Sequence, residues 1–418
     1  MNTVTAKLPN ILLANKYFYR KGGADNSFFQ TSALLENQGH KVMHFSMHDE
    51  KNLDSPYAPY FVNHVDYEKK DLKTTLGNAG KLLYSREARY KIRKLIQNER
   101  PDIAHLNNIY HQISPSIIHE LKSFNIPVVM SLRDYKVVCG AYTMLANDQI
   151  CEACRGGRYY QGFLKNCHKG SRFKGALITL EMYLHHKILH IYDLVDCFIS
   201  PSRFLKDKVK EMGFKGRVEY LPNFVYPEHI EPRYSFDGNT LVYMGRLSHE
   251  KGVLTLIKAV GSIPDVQLKI IGDGPARAEL ENYVTDDGLS NVTFLGYMSG
   301  DKLNNEIKSA KCVVIPSEWY ENNPRSVIES FAMGKPVIGA RMGGIPELVR
   351  DNETGMTFIS GDEKDLSEKI NYALADDERI KRWGQNARRL IEEEYSAQKH
   401  YQGLRAIYDE VLANARQT

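Results

Sequence analysis

No apolar run in the 418 residues reaches the ~18 that a bilayer-crossing helix needs, so no membrane span is expected. Net charge is scarce as well. The 55 Lys and Arg against 51 Asp and Glu leave +4, too little to argue for a nucleic-acid partner. The opening MNTVTAKLPN lacks a charged start followed by an apolar stretch, so no signal peptide is expected and the reading is cytoplasmic. Only six cysteines occur, and in a reducing compartment they are thiols or metal ligands rather than disulfides. What is present is an ordinary globular composition, 42% hydrophobic and 25% charged, in a chain long enough for two domains of roughly 200 residues each.

Short β-rich runs alternate with helical patterns. NILLANKYF, HKVMHFSM, PDIAHLNN, IPVVMSL and DCFISPS come first; after VEYLPNFV the alternation restarts with TLVYMGRL, VQLKIIGDGP, VTFLGY, CVVIPS, PVIGA and GMTFI. Alternation of this kind implies parallel sheets with helices on both faces. Two such α/β sheets joined near residues 220–225 leave a cleft, and ligands bind beyond the carboxyl ends of the strands.

The loops at those strand ends carry the chemistry. In SEWYENNPRSVIES, Asn323 is a good N-cap and Pro324 suits the first helical position. A helix opening at Arg325 and Ser326 offers free N–H groups to an anion. Glu329 leans back over that opening, where a carboxylate can accept from hydroxyls beside a phosphate, as on a ribose. Glu321 completes the pair. The plainer alternative is a solvated acidic turn. MGRLSHEKG places Arg246 and Lys251 around a helix start, two cations able to clamp a diphosphate. Gly343 and Gly344 make a close-approach loop, and Gly22 and Gly23 a glycine turn after the first strand, with Asp25 beginning the next helix.

GRLSHEKG, IGDGP, FLGYM, PSEWYENNPRSVIESFAMGKPVI and GGIPELV, in this order and spacing, resemble the C-terminal half of the retaining glycosyltransferases of family 4, whose fold is GT-B. KGGADNSF, PDIAHLNNIYHQISPSI, SLRDYKVVCGAY and ISPSRFLKDK are similar to members that build bacterial surface polysaccharides. The resemblance implies two Rossmann-like domains: 1–220 for the acceptor and 221–397 for the donor, with 398–418 packing back on the first. It also implies that Arg246 and Lys251 hold the donor diphosphate and that Glu329 binds the ribose. Glu321 and the Asn323–Ser326 backbone would sit by the donor sugar and phosphates, with Gly22 and Gly23 facing them from the other domain. The expected activity is transfer of a hexose from a UDP- or GDP-sugar, with retention, to a lipid-linked glycan. Stabilising the departing diphosphate is the largest help the protein can give. The chain has no Asp-x-Asp to suggest a metal-bridged diphosphate, so no catalytic cofactor is expected.

Relatives read His-Asp-Tyr where this chain reads Arg133-Asp134-Tyr135. Arg133 is then a ligand for phosphate or carboxylate, or the mark of a non-catalytic sugar-nucleotide-binding homologue; sugar-nucleotide epimerisation is a further alternative. Cys139, Cys151, Cys154 and Cys167 fall in one segment around a C-x-x-C core. Four such thiolates could close a structural zinc site, with an iron–sulfur centre or four unlinked thiols as alternatives. Cys197 and Cys312, in apolar runs, are core residues, and His105 and His111 follow a strand end near the cleft. Lys81–Gln97 reads as a basic amphipathic helix, with Leu82, Leu83, Ile92, Leu95 and Ile96 on its apolar side. Such a helix would suit peripheral contact with the anionic inner face of the cell membrane, or else packs on a sheet.

Overall fold

Each of the twelve β-rich runs forms a strand in the computed structural model, which describes residues 8–64, 80–168 and 171–417. The first sheet contains β1 (Ile11–Ala14), β2 (Val42–Phe45), β3 (Ile103–Leu106), β4 (Val128–Ser131), β7 (Cys197–Ser200) and β8 (Val218–Tyr220), in the order β2-β1-β3-β4-β7-β8. The second contains β9 (Thr240–Met244), β10 (Gln267–Ile271), β11 (Val292–Gly296), β12 (Cys312–Ile315), β13 (Val337–Ala340) and β14 (Gly355–Phe358), in the order β11-β10-β9-β12-β13-β14. Every pairing within these two sheets is parallel. Helices cover both faces, which is why strands such as IAHL, CFIS and CVVI are buried along their whole length and read as continuous rather than alternating runs. Cys197 and Cys312 are buried within them. A short antiparallel hairpin, β5 (Leu145–Ala146) with β6 (Gln149–Ile150), was not expected from the sequence.

Strand order reverses between β1 and β3 in the first sheet and between β9 and β12 in the second, and each reversal opens a crevice at the strand ends. The chain crosses between the halves twice, side by side. Val225 N–H donates to Tyr395 O at 3.1 Å, and Ala397 N–H to Val225 O at 3.0 Å. The helix Ala397–Ala415 then returns to the first half, where Leu404, Ile407, Tyr408 and Val411 pack with Ile11, Leu13 and Val129.

The basic segment differs from its expected form. The regular helix is Arg86–Glu99, started by the Ser85 hydroxyl, which accepts from Ala88 N–H at 3.1 Å. Ile92, Leu95 and Ile96 are buried on the neighbouring Ser116–Ser123 helix, and Arg89 and Arg93 both bond the buried Glu120. The stripe of Ile92, Leu95 and Ile96 therefore belongs to the core, and the solvent face carries Arg86, Arg93 and Lys94 with the exposed Tyr90.

Candidate functional site

The loops leaving β9 and β12 lie on either side of the reversal in the second sheet, and they meet at one ion pair. Lys251, ending a 3-10 turn after β9, places Nζ 2.6 Å from Glu321 Oε1. The same oxygen accepts from Ser317 Oγ at 2.8 Å and from Trp319 Nε1 at 2.9 Å, while Nζ stands 4.8 Å from the Trp319 ring centroid. Burial pushes the Glu321 carboxyl up, but Lys251 and these donors outweigh it and hold it below the usual carboxylate range. Gly252 makes the approach possible: it has φ +65°, and a Cβ there would stand 2.0 Å from Pro316 O, so the β9 loop can lie directly on the β12 loop.

Beyond Glu321 the helix Arg325–Ala332 begins without a side-chain cap. Asn323 does not play the expected N-cap role. Pro324, with ψ 116°, holds that position, and the Asn323 Oδ1 accepts instead from Asn223 N–H at 3.1 Å. The first turn is held by Val327 N–H on Pro324 O. Arg325 and Ser326 thus open the helix, a place where N–H groups and the dipole end favour an anion. Glu329 reaches back to this end, its Oε1 accepting from Arg325 Nη2 at 3.0 Å. Arg325 Nη1 also crosses to Gln30 Oε1 of the first half at 2.7 Å.

The glycine turn faces that helix start. Gly22 precedes the helix Gly23–Asn37, a Cβ on Gly22 would meet nothing within 4 Å, and one on Gly23 would lie 3.7 Å from Arg325 Cδ. Asp25 is buried and accepts from Asn15 Nδ2 at 3.0 Å, tying the turn to the end of β1. Arg246 is exposed just past β9, and its carbonyl accepts from Tyr243 Oη at 2.8 Å.

Arg133, after β4, is held by neutral groups. Its Nε and Nη2 donate to Asn107 Oδ1 at 3.3 and 3.1 Å, and Nη1 donates to Asn223 Oδ1 at 3.0 Å. Asn223 in turn donates Nδ2 to Asn323 O, and Asn322 Nδ2 donates to Arg133 O, so Arg133 is tied to the start of the Arg325 helix on both sides. Burial, then the nearby Arg325 charge, push the guanidinium down to about 10, which leaves it charged at neutral pH.

Gly343 and Gly344 approach protein rather than a ligand. Cβ atoms there would stand 2.2 Å from Glu321 O and 1.8 Å from Asn322 O, so the pair cradles the loop that presents Glu321. His105 is buried between Tyr408 Oη at 2.6 Å and Ser131 Oγ at 2.7 Å, a packing role, and His111 lies by Glu181 at 3.3 Å.

Sequence reasoning missed Asn107, Asn223, Tyr320 and Glu347. Tyr320 Oη donates to Glu152 Oε1 at 3.0 Å, and Glu347 accepts the N–H groups of Arg203 and Phe204 at 2.9 and 2.6 Å, so each half caps or anchors an element of the other. An asparagine at the end of a strand, directly after β3 in HLNN and three residues after β8 in LPNF, was the available signal for the first two.

Comparison with known proteins agrees with this architecture. The profile described as Glycosyltransferase Family 4 matches residues 21–229, and that of Glycosyl transferases group 1 matches residues 229–390. The lipopolysaccharide core biosynthesis glycosyltransferase LpsE of Rhizobium meliloti is 28% identical over 211 residues, 49% of this chain and 61% of that protein. Matches to the first curated relatives span between 48% and 61% of their length. Sucrose-phosphate synthase of Thermosynechococcus elongatus superposes with TM-score 0.73 at 20% identity, covering 97% of this chain and 100% of that one. HepE of Anabaena, in complex with UDP and glucose, superposes with TM-score 0.65 at 16% identity, covering 96% and 100%. The fold is GT-B.

Proposed function

This chain belongs to glycosyltransferase family 4, and from that premise we propose that it transfers a sugar from a nucleoside diphosphate to a lipid-linked glycan during polysaccharide biosynthesis. The observation that carries the reading is the Lys251–Glu321 pair, set at the reversal of strand order beside the uncapped Arg325 helix. Breaking a sugar–phosphate bond leaves negative charge on the diphosphate. A cation fixed by a buried carboxylate, a second cation at Arg246 and a helix start supply stabilisation where that charge develops. Glu329 serves the ribose hydroxyls, and the open turn at Gly22 and Gly23 admits the phosphates from the other half. In this reading catalysis uses no metal and the donor nucleotide is UDP or GDP. The UDP in HepE and the lipopolysaccharide role of LpsE support the donor and the product class. Retention of configuration rests on the family resemblance alone.

A membrane-borne acceptor has its own support. No described helix is long and apolar enough to cross a bilayer. The packed helices Tyr160–Leu164 and Arg172–Tyr183 leave Phe163, Leu164, Phe173 and Leu180 exposed among Lys165, Arg172 and Lys174, the pattern of a surface resting on anionic lipid. This would hold the enzyme on the cytoplasmic face of the membrane.

The test is a panel of UDP- and GDP-sugars, read by thermal unfolding and by release of nucleoside diphosphate. One donor is expected to raise the unfolding temperature, since a ligand of the folded state stabilises it, and to be turned over when a lipid-linked glycan is added. Stabilisation without release would mark a binding homologue. Neither response to any donor would overturn the reading.

A further inference from the structure

The cysteines that the donor site leaves unused are drawn together by two backbone bridges. Met144 makes the first: its N–H points at the Cys139 sulfur, and its carbonyl accepts Cys151 N–H at 2.7 Å. The β5–β6 hairpin turns back through Asn147 and Asp148, both with positive φ, and so returns Cys151 beside Cys139. Gly162 makes the second: its N–H points at the Cys154 sulfur, and its carbonyl accepts Cys167 N–H at 3.1 Å. Cys151 and Cys154 are three residues apart, which joins the two bridges.

The local backbone is bent to achieve this. Tyr142 and Met144 hold φ of 62° and 54°, left-handed values that cost about 1 kcal/mol each or more for such side chains.

We propose that Cys139, Cys151, Cys154 and Cys167 bind one structural zinc ion. Zinc accepts four thiolates tetrahedrally at ~2.3 Å with no redox requirement. Among the described residues no three His, Cys, Asp or Glu side chains yet stand close enough together to hold a metal. Closure therefore falls to Cys151 and Cys167, which are half-buried, moving onto the buried Cys139 and Cys154. On binding, each thiol gives its proton to solvent and forms a Zn–S bond. The resulting site carries a charge of −2.

The site would do more than hold a loop. Between Cys151 and Cys154 stands Glu152, which accepts from Lys208 Nζ at 2.7 Å and from Tyr320 Oη at 3.0 Å across the cleft. Tyr320 directly precedes Glu321. The metal would thus fix the first half's grip on the loop that presents the candidate catalytic pair.

The experiment is elemental analysis of the full chain purified under reducing conditions without added metal. About one zinc per chain is expected. Exchange for cobalt(II) should give the thiolate charge-transfer and ligand-field bands of a tetrahedral site. Cys151→Ser and Cys167→Ser, at half-buried positions, should lose most of the metal, while the control Cys312→Ser keeps it. The proposal is overturned if the wild-type chain carries no zinc and its four clustered thiols alkylate freely. It is equally overturned if they are found as disulfides, or if iron with visible absorption replaces zinc.

Discussion

Lys251 Nζ lies 2.6 Å from a Glu321 oxygen that also takes hydrogen bonds from Ser317 and Trp319. In the proposed reaction the carboxylate is a positioning group, aiming a cation at the crevice where the diphosphate would leave. Lys251→Ala is expected to lower kcat by roughly 10²-fold or more, the usual loss when one charge-stabilising donor is removed. Lys251→Arg should recover part of it. Steady-state kinetics with matched unfolding temperatures provide the check, and a kcat within twofold of wild type in a folded Lys251→Ala protein would remove Lys251 from the mechanism.

Glu329 acts differently. Bonded to Arg325 and partly exposed, it can release that partner for a ribose in the proposed reaction. A hydrogen bond to a charged group contributes ~1.5–3 kcal/mol, so Glu329→Ala should weaken donor binding about 10- to 100-fold. Calorimetric titration with the nucleoside diphosphate alone isolates this step. Unchanged affinity, or a loss of folding stability that accounts for the whole effect, would count against the ribose role.

Twelve strands were legible because a parallel strand buried on both faces is a continuous apolar run. The β5–β6 hairpin was not, since its two-residue strands around Asn147-Asp148 carry no periodic signal beyond the turn itself. At the site, Lys251, Glu321, Arg325 and Glu329 could be named because each sits in a local loop-to-helix pattern. Their partners could not. Asn107 and Asn223 meet only through Arg133, and Glu347 caps a helix of the opposite half, relationships set by how the sheets face each other. The basic helix left two readings open for a related reason: periodicity reports an apolar face and is silent on whether protein or lipid covers it.

Acid should loosen the returning C-terminal helix. His105 bonds Tyr408 of that helix and His400 lies on it, and burial pushes their rings to about 3 and about 4. Both are depressed below the unfolded value of ~6.5. Above that pH both states are neutral and the full stability is present. As pH falls toward 4 the unfolded chain takes up protons that the folded chain refuses, costing about 1.4 kcal/mol per pH unit per ring. Denaturant unfolding between pH 7.5 and 5 should show this decline. His105→Gln, which removes one titrating ring, should flatten it by about one proton. Parallel pH profiles for variant and wild type would show that His105 does not contribute.

Arg133 poses the sharpest question about substrate. Its hydrogen-bond partners, Asn107 and Asn223, are neutral, and among the described residues no carboxylate forms a salt bridge with the guanidinium, although the charge of Asp25 acts on it at the junction beside the Arg325 helix. An anionic group on donor or acceptor, such as a uronate, would supply the missing partner, and arginine's planar fork suits a carboxylate. Arg133→His is therefore expected to cut turnover of an acidic donor at least tenfold while sparing a neutral one, a selective change of about 1.4 kcal/mol or more. The same substitution takes hydrogen bonds from both asparagines, so a purely structural role predicts an equal loss with every donor and a lower unfolding temperature. Comparing kcat/KM for uronic and neutral donors in the two proteins separates these outcomes. An unchanged preference would leave Arg133 as the residue that ties Asn107 to Asn223 and no part of substrate recognition.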